Sequence, residues 1–280
     1  MGVQYEAFSA SAICAFRHHR DFVRVLRQRA AESLAEYKGL DDDGRWQVSD
    51  LGRAALTGAA VIMDALGAVT ADQLIEVAAT RQVCSRGRVL SYLNRAQRSG
   101  LIGVPAGEGP WTRRPLLLTS RFQAPVAAYV RVQMRAAARL APHLKPCIEA
   151  LTGPEVLRRF VAMIGLLTTS RPDVFEGPSP IILFMGRDGG MRVLEQLIAR
   201  QPDDAIGLLE PLTVSNAGLA RPAYVSRTHV KRLIADGVAM GSLRREGRRL
   251  EFSTDLIEGV ELYNAVMFEL FRVTAEAIRL

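Results

Sequence analysis

One stretch of this chain occurs twice. Residues 85–102 read SRGRVLSYLNRAQRSGLI, and residues 226–243 read SRTHVKRLIADGVAMGSL. Both open on Ser-Arg, carry Val at the fifth place and Gly at the sixteenth, and end on an aliphatic residue. In the first copy Val89, Tyr92, Leu93 and Ala96 recur at helical spacing; in the second Val230, Leu233, Ile234 and Gly237 do so. Each copy therefore predicts an amphipathic helix with one buried side and Ser85 or Ser226 at its start. Two copies far apart do not make a solenoid, so the chain is expected to fold as two similar lobes.

The segments after the two copies are also alike. After the first, LIGVP (101–105) and PLLLTS (115–120) read as short strands joined by the Gly- and Pro-rich AGEGPWTRR. After the second, GSLRR and RRLEFS flank Glu246-Gly247 as a tight hairpin. Before the first copy, the periodicity predicts helices over about 9–37, 49–66 and 70–79, with Ser49 or Asp50 and then Thr70 as caps. The acidic run Asp41-Asp42-Asp43 reads as a solvated turn. A helix over about 122–141 comes after the first hairpin, and Pro142 and Pro146 mark a linker. That linker divides the chain into lobes of 1–145 and 146–280. In the second lobe, helices are expected over 154–170 and over 181–200, with interruptions at Gly186 and Gly189-Gly190. SRPDVFEGPSP reads as an irregular connection, 204–210 and 213–220 as short helical segments, and 255–279 as a long closing helix.

A short helix, a capped helix and a β-hairpin in that order are the parts of a winged helix-turn-helix. The fold class expected is mainly α with small β-hairpin wings: two winged helix-turn-helix lobes joined by a helical layer. Such a capped helix is thin enough for the major groove of duplex DNA, about 12 Å wide, and the hairpin reaches the backbone beside it. In the first copy Arg88, Ser91, Asn94, Arg95 and Arg98 gather opposite the apolar side, and these residue types bind bases and phosphates. In the second Thr228, His229, Arg232, Ala235 and Asp236 face out, with Lys231 at the flank. Arg88, Asn94, Arg95, His229 and Arg232 are the expected base contacts, with Arg86, Arg98 and Arg227 nearer phosphates. Ser85 leaves the positive end of its helix facing a phosphate, and Ser226 is also expected at the DNA. Arg113 and Arg114 of the first wing and Arg244, Arg245, Arg248 and Arg249 of the second complete the expected DNA-binding set.

The second lobe, VSRTHVKRLIADGVAMGSLRREGRRLEFSTDLIEGV, resembles the core of MarR-type winged-helix transcriptional regulators. The first lobe does so through VCSRGRVLSYLNRAQRSGLI and Leu118-Thr119. The likeness covers about 70–122 and 208–260, although the Asp-x-Arg wing signature of that family is absent from both lobes. It implies a dimer joined through terminal helices, with two recognition helices on successive groove faces. For this chain the expectation becomes a single-chain pseudo-dimer whose joining layer is formed by helices 9–37, 122–141, 154–170, 181–200 and 255–279. The reading helices would lie about 34–36 Å apart, one turn of B-DNA, on an imperfect palindrome.

Composition agrees with these expectations. The formal charge of +7 over 280 residues suggests a polyanionic partner. Three Cys (Cys14, Cys84 and Cys147) are too few and too scattered for a disulfide framework. The N-terminal MGVQYEAFSASAICAF lacks the form of a secretory signal, and Glu6 does not fit a myristoylation pattern. No apolar run has the roughly 18–20 residues of a membrane span. The expectation is a cytoplasmic regulator whose partner is double-stranded DNA, with room for a small-molecule effector and for a homodimer, and with no membrane association. No cofactor, metal or catalytic grouping is expected: Gly186 to Gly190 lack the Lys-Ser/Thr of a phosphate loop, and His18-His19 have no acid or thiol at ligand spacing. Cys84, beside Arg81, Arg86 and Arg88, reads as a small packed residue before it reads as a redox thiol. The alternative function is a winged-helix scaffold for protein interaction without specific DNA binding.

Overall fold

Side-chain caps divide this chain into its elements. Asp41, Asp50, Thr70, Ser85, Thr119, Ser215, Ser226 and Ser253 each sit in extended backbone and accept a hydrogen bond from an N–H in the first turn of the next helix. Thr70 does so within a full capping box, since Gln73 returns a bond to the Thr70 N–H. The computed structural model describes residues 9–170, 180–202 and 205–279. Among them the chain is mainly helical, with two small antiparallel sheets.

In the first half α1 (Ala10–Arg17), α2 (Phe22–Gly39), α3 (Asp42–Gln47) and α4 (Leu51–Leu66) lead into α5 (Ala71–Thr80) and α6 (Arg86–Arg98). Strands β1 (Ile102–Gly103) and β2 (Leu117–Leu118) then pair antiparallel, and a bridge from Thr70 to Pro115 adds a third edge. α7 (Ser120–Leu140), α8 (Lys145–Ala150), α9 (Pro154–Ser170) and α10 (Ile182–Met185) connect to the second half. There α11 (Gly190–Ala199), β3 (Leu212–Thr213), α12 (Asn216–Ala220), α13 (Arg227–Ala239), β4 (Leu243–Glu246), β5 (Arg249–Phe252) and α14 (Thr254–Ala277) complete the order. The second sheet has the order β3-β5-β4, so the strand before α12 closes against the hairpin after α13. The same succession of helix, short extended segment, two helices and hairpin thus occurs in both halves.

Both copies of the repeated stretch are helices, and their apolar sides are buried as the wheel predicts: Val89, Tyr92, Leu93 and Ala96 in α6, and Val230, Leu233, Ile234 and Gly237 in α13. The shared glycine has a backbone reason. Gly100 and Gly241 end the two helices at φ of +65° and +71°, the left-handed region that side chains with a Cβ rarely adopt.

Several boundaries differ from those the sequence predicts. The helix expected over 9–37 is two, because α1 lies on α14 while α2 packs between α7 and α11, and one straight rod cannot follow both. The acidic run is not a loose turn. Asp41 caps α3, and Asp42 and Asp43 occupy its first turn, where the positive helix end favours carboxylates. Pro142 and Pro146 do not mark an open linker. They sit at the starts of a 3₁₀ turn (Pro142–Leu144) and of α8, where the missing proline N–H leaves no bond unmade. Leu144 and Cys147 are buried there, and apolar side chains from both sides of this point join one continuous core. Residues 205–210 are not helical, since the Glu210 carboxylate accepts from the N–H groups of Ile206 and Gly207 and turns the chain back. Segment 213–220 begins as strand β3 before α12. In the second hairpin Glu246 pairs with Arg249, which moves the turn to Gly247-Arg248. Of the irregular connection 170–180, residues 171–179 lie outside the described residues, as do 1–8 and 203–204.

A layer of helices carries the two units. α2 packs on α7 and α11, α4 on α9, and α14 on α1, α7 and α9. Phe22, Phe160, Phe268 and Phe271 are fully enclosed within it. The ring edges of Phe16 and Phe22 meet Phe268, and Phe160 meets Phe271, which ties the first and last helices together.

Candidate nucleic-acid interface

The first basic surface is built on α6. Ser85 Oγ accepts from the Arg88 N–H at 3.4 Å, so this hydroxyl is engaged in capping. Arg86, Arg88, Ser91, Asn94, Arg95 and Arg98 are all exposed. Two of these arginines already have side-chain partners. Arg88 donates to Asp50 Oδ1 at 2.8 Å, and the Arg95 guanidinium lies 4.1 Å from the centre of the Trp46 ring. Trp46 in turn stacks on Tyr92 at 5.0 Å, and the buried Tyr92 hydroxyl is 2.7 Å from Thr57 Oγ1. Burial raises the Tyr92 phenol far above its ordinary range, so it stays neutral. Arg98 donates to the Asn94 carbonyl. Arg86 and Ser91 have no side-chain partner among the described residues.

The hairpin beside α6 is irregular, with a 3₁₀ turn at Trp111–Arg113. Arg113 lies 3.6 Å from Asp72, and Arg114 donates to the carbonyls of Pro105 and Gly109. Arg114 therefore holds the loop together from within.

The second surface is arranged otherwise. On α13 Arg227, Thr228, Lys231 and Arg232 are exposed and have no side-chain partner among the described residues. Ser226 Oγ caps the helix by accepting from the His229 N–H at 3.1 Å. His229 does not face outward: it is half-buried, and its Nε2 is enclosed without a hydrogen-bond partner among the described residues. In the hairpin Arg245 donates to Asn216 Oδ1 at 2.7 Å and to the Gly247 carbonyl at 3.0 Å. Arg249 and Arg244 flank Glu251 at 3.0 and 3.8 Å. Arg248, at the tip, is exposed and carries no acidic partner among the described residues.

A crevice of 510 Å³ is lined among others by Trp46, Arg53, Asp188, Tyr224 and His229. Across it runs a chain of ion pairs that sequence spacing does not reveal. Asp50, only 6% exposed, holds both Arg88 and Arg53, and Arg53 also donates to Asp188 at 2.9 Å. The Gly189 N–H donates to the Ser49 carbonyl at 2.6 Å, and neighbouring Arg187 pairs with Asp236 of α13. The only sequence signal for this clasp was the Gly189-Gly190 interruption. Gly189 has a φ of +63°, and a Cβ on Gly190 would lie 2.1 Å from the Phe184 carbonyl oxygen, so the loop can close only with glycine. Asp50 was legible as a cap but not as the partner of a residue so distant in the chain.

Cys84 is half-buried, and burial pushes its thiol up more than the Arg88 charge draws it down. That direction is opposite to the one a reactive thiolate needs. The described residues contain no grouping of three or more His, Cys, Asp or Glu able to hold a metal ion, and no helix long and apolar enough to cross a membrane. No protein-family model, curated protein or solved structure matches the chain.

Proposed function

We propose that this chain is a sequence-specific DNA-binding transcriptional regulator. Each half forms one winged helix-turn-helix lobe, related in type to MarR-like regulators, and the pair acts as a single-chain pseudo-dimer in the cytoplasm. One observation carries the reading. The two copies of the repeated helix bury their matching apolar sides and leave Arg86, Asn94, Arg98, Arg227, Lys231 and Arg232 exposed, each beside a basic hairpin. A helix so presented can enter the major groove, with Asn94 and Arg232 at base edges and Arg86, Arg98, Arg227 and Lys231 at phosphates. Arg248 reaches the backbone from its hairpin. Arg88 and Arg95 join only after exchanging Asp50 and Trp46 for DNA. Because the lobes differ at nearly every exposed position, the site is an imperfect palindrome.

Selection from random duplex DNA tests this. Enrichment of two unlike half-sites about one helical turn apart is the expected result, with binding that weakens steeply as salt rises. A perfect palindrome with equal contacts in both halves would remove the asymmetry. No duplex binding even at low salt would leave the protein-interaction scaffold, a reading favoured by the number of arginines already paired within the chain.

A further inference from the structure

Beneath the two surfaces, where α2, α4, α7, α9, α11 and α14 meet, lies a cavity of 320 Å³. That is at the lower end of the range of about 300–1,000 Å³ typical of small-molecule sites. Its wall is mostly aliphatic and includes Met185, Met191 and Met267, side chains that adapt readily to a guest. Two features say that the space is kept rather than left over.

The first is Gln133. It lines the cavity at 0% exposure, and neither its amide nitrogen nor its amide oxygen has a hydrogen-bond partner among the described residues. A buried amide without partners is costly, so an unfilled one marks a place where something else supplies the bonds. The second is Gly58. It stands inside α4 on the cavity wall, and a Cβ added there would meet nothing within 4 Å. Glycine within a helix is destabilising relative to alanine, and here no steric conflict requires it.

The charges at the cavity select among guests. Glu195 is held by Arg29 at 3.3 Å and also by Arg192, which donates in addition to Ser33 at 2.7 Å. Arg29 Nε, Arg192 Nε and Glu195 Oε2 also lack hydrogen bonds among the described residues, but these charges offset one another. Of the wall residues with enclosed unbonded atoms, Gln133 alone leaves both a donor and an acceptor open. Its oxygen needs a donor and its nitrogen needs an acceptor, on neighbouring atoms. A carboxylate supplies acceptors alone, whereas a primary amide or lactam supplies both and does so whichever way the Gln133 amide is turned. The geometry points to an effector site for a small, mainly apolar molecule bearing a neutral amide or lactam group, bonded head to head with Gln133. The cavity wall also contains Ser49, Asp50 and Leu51, the start of α4, whose Asp50 holds Arg88. Occupancy is thereby coupled to the reading helix; this last step rests on the DNA-binding reading, and the site itself does not.

Benzamide, benzoate and toluene titrated calorimetrically into the full chain without DNA test the site. Benzamide should bind at least about tenfold more tightly than either analogue, the margin two hydrogen bonds supply. Gln133→Met, close in shape, should keep toluene binding and abolish the preference for benzamide; Gly58→Leu should block all three. Benzoate or toluene binding as well as benzamide, or a preference that survives Gln133→Met, overturns the proposal, as does an absence of benzamide binding. Raised thermal stability of the Gln133→Met protein, which no longer buries an orphan amide, separates loss of binding from loss of fold. Duplex affinity is then measured with and without benzamide. Benzamide binding with no duplex binding at all would keep the site and overturn the regulatory reading.

Discussion

The two helix–hairpin units share a buried side and differ in what holds their arginines. Around α6, Arg88, Arg95, Arg113 and Arg114 are engaged by Asp50, Trp46, Asp72 and backbone carbonyls. Around α13, Arg227, Lys231, Arg232 and Arg248 stand free among the described residues, while Arg245 and Arg249 brace the hairpin. Equal numbers of arginines in a sequence therefore do not mean equal positive surface. A guanidinium tied to a carboxylate or an aromatic face must give up that contact before it can meet another anion, so the second unit offers the more available positive charge.

The largest effect should come from a pair of matched positions inside the two helices. Ala96 in α6 corresponds to Gly237 in α13, where a Cβ would lie 2.5 Å from Leu243 Cδ1 and 2.9 Å from Leu183 Cδ2. Gly237→Ala should destabilise the chain by about 1–3 kcal/mol through overpacking, against only about 0.5–1 kcal/mol for Ala96→Gly. Denaturant unfolding of both variants measures this, and equal losses would show that the two helices sit in alike surroundings after all. Next in size is base discrimination. Asn94→Ala should relax preference at one base pair of the selected site by about 1–3 kcal/mol, with little change in affinity for random duplex.

Salt dependence sharpens the contrast further. Arg248→Ala should weaken binding to all sequences alike and lower the salt slope by about 1, whereas Arg113→Ala, losing an arginine paired with Asp72, should change it less. Asp50→Asn should do the reverse in the first unit. Asn still caps α4, but Arg88 loses its anchor, and the slope should rise by about 1. Slopes unchanged by both would mean that the ion pairs do not set the available charge.

The smallest effect is one of pH. The Gly44 N–H, and after it the Arg121 guanidinium, hold the Asp41 carboxyl below its ordinary value of 3.8. A depressed folded pKa stabilises the fold above the unfolded value, and that contribution is lost as pH falls through the lowered one. Acid unfolding below pH 3.8 should therefore be less steep for Asp41→Asn than for the parent chain. Asp41 and both of these partners lie in the first half, but the halves share one core, so a probe placed in the second unit should report the same difference between the two proteins.

Much of the fold was legible because it depends on local chemistry. Apolar spacing gave the buried sides of α6 and α13, and Ser85, Ser226 and Thr70 marked helix starts that the structure keeps. The errors fell where a distant partner overrode a local signal. The split between α1 and α2 comes from their packing on different helices, and Pro142 and Pro146 start buried turns because Leu144 and Cys147 have a core to enter. For the candidate interface, sequence spacing correctly gave which side of each helix is exposed. It could not give the turning inward of His229, the tie from Arg88 to Asp50 or the stacking of Arg95 on Trp46, because each needs a residue from another element.

The sequence alone determined that this chain contains two capped amphipathic helices, each with a basic hairpin after it, since caps, periodicity and turns act over a few residues. Only the tertiary structure decided which arginines remain available, where the two units clasp through Asp50, Arg53 and Asp188, and that Gln133 is enclosed beside a cavity without partners among the described residues. Those outcomes depend on which charges and apolar faces meet across the chain, and such distances are fixed by packing rather than by neighbours in sequence.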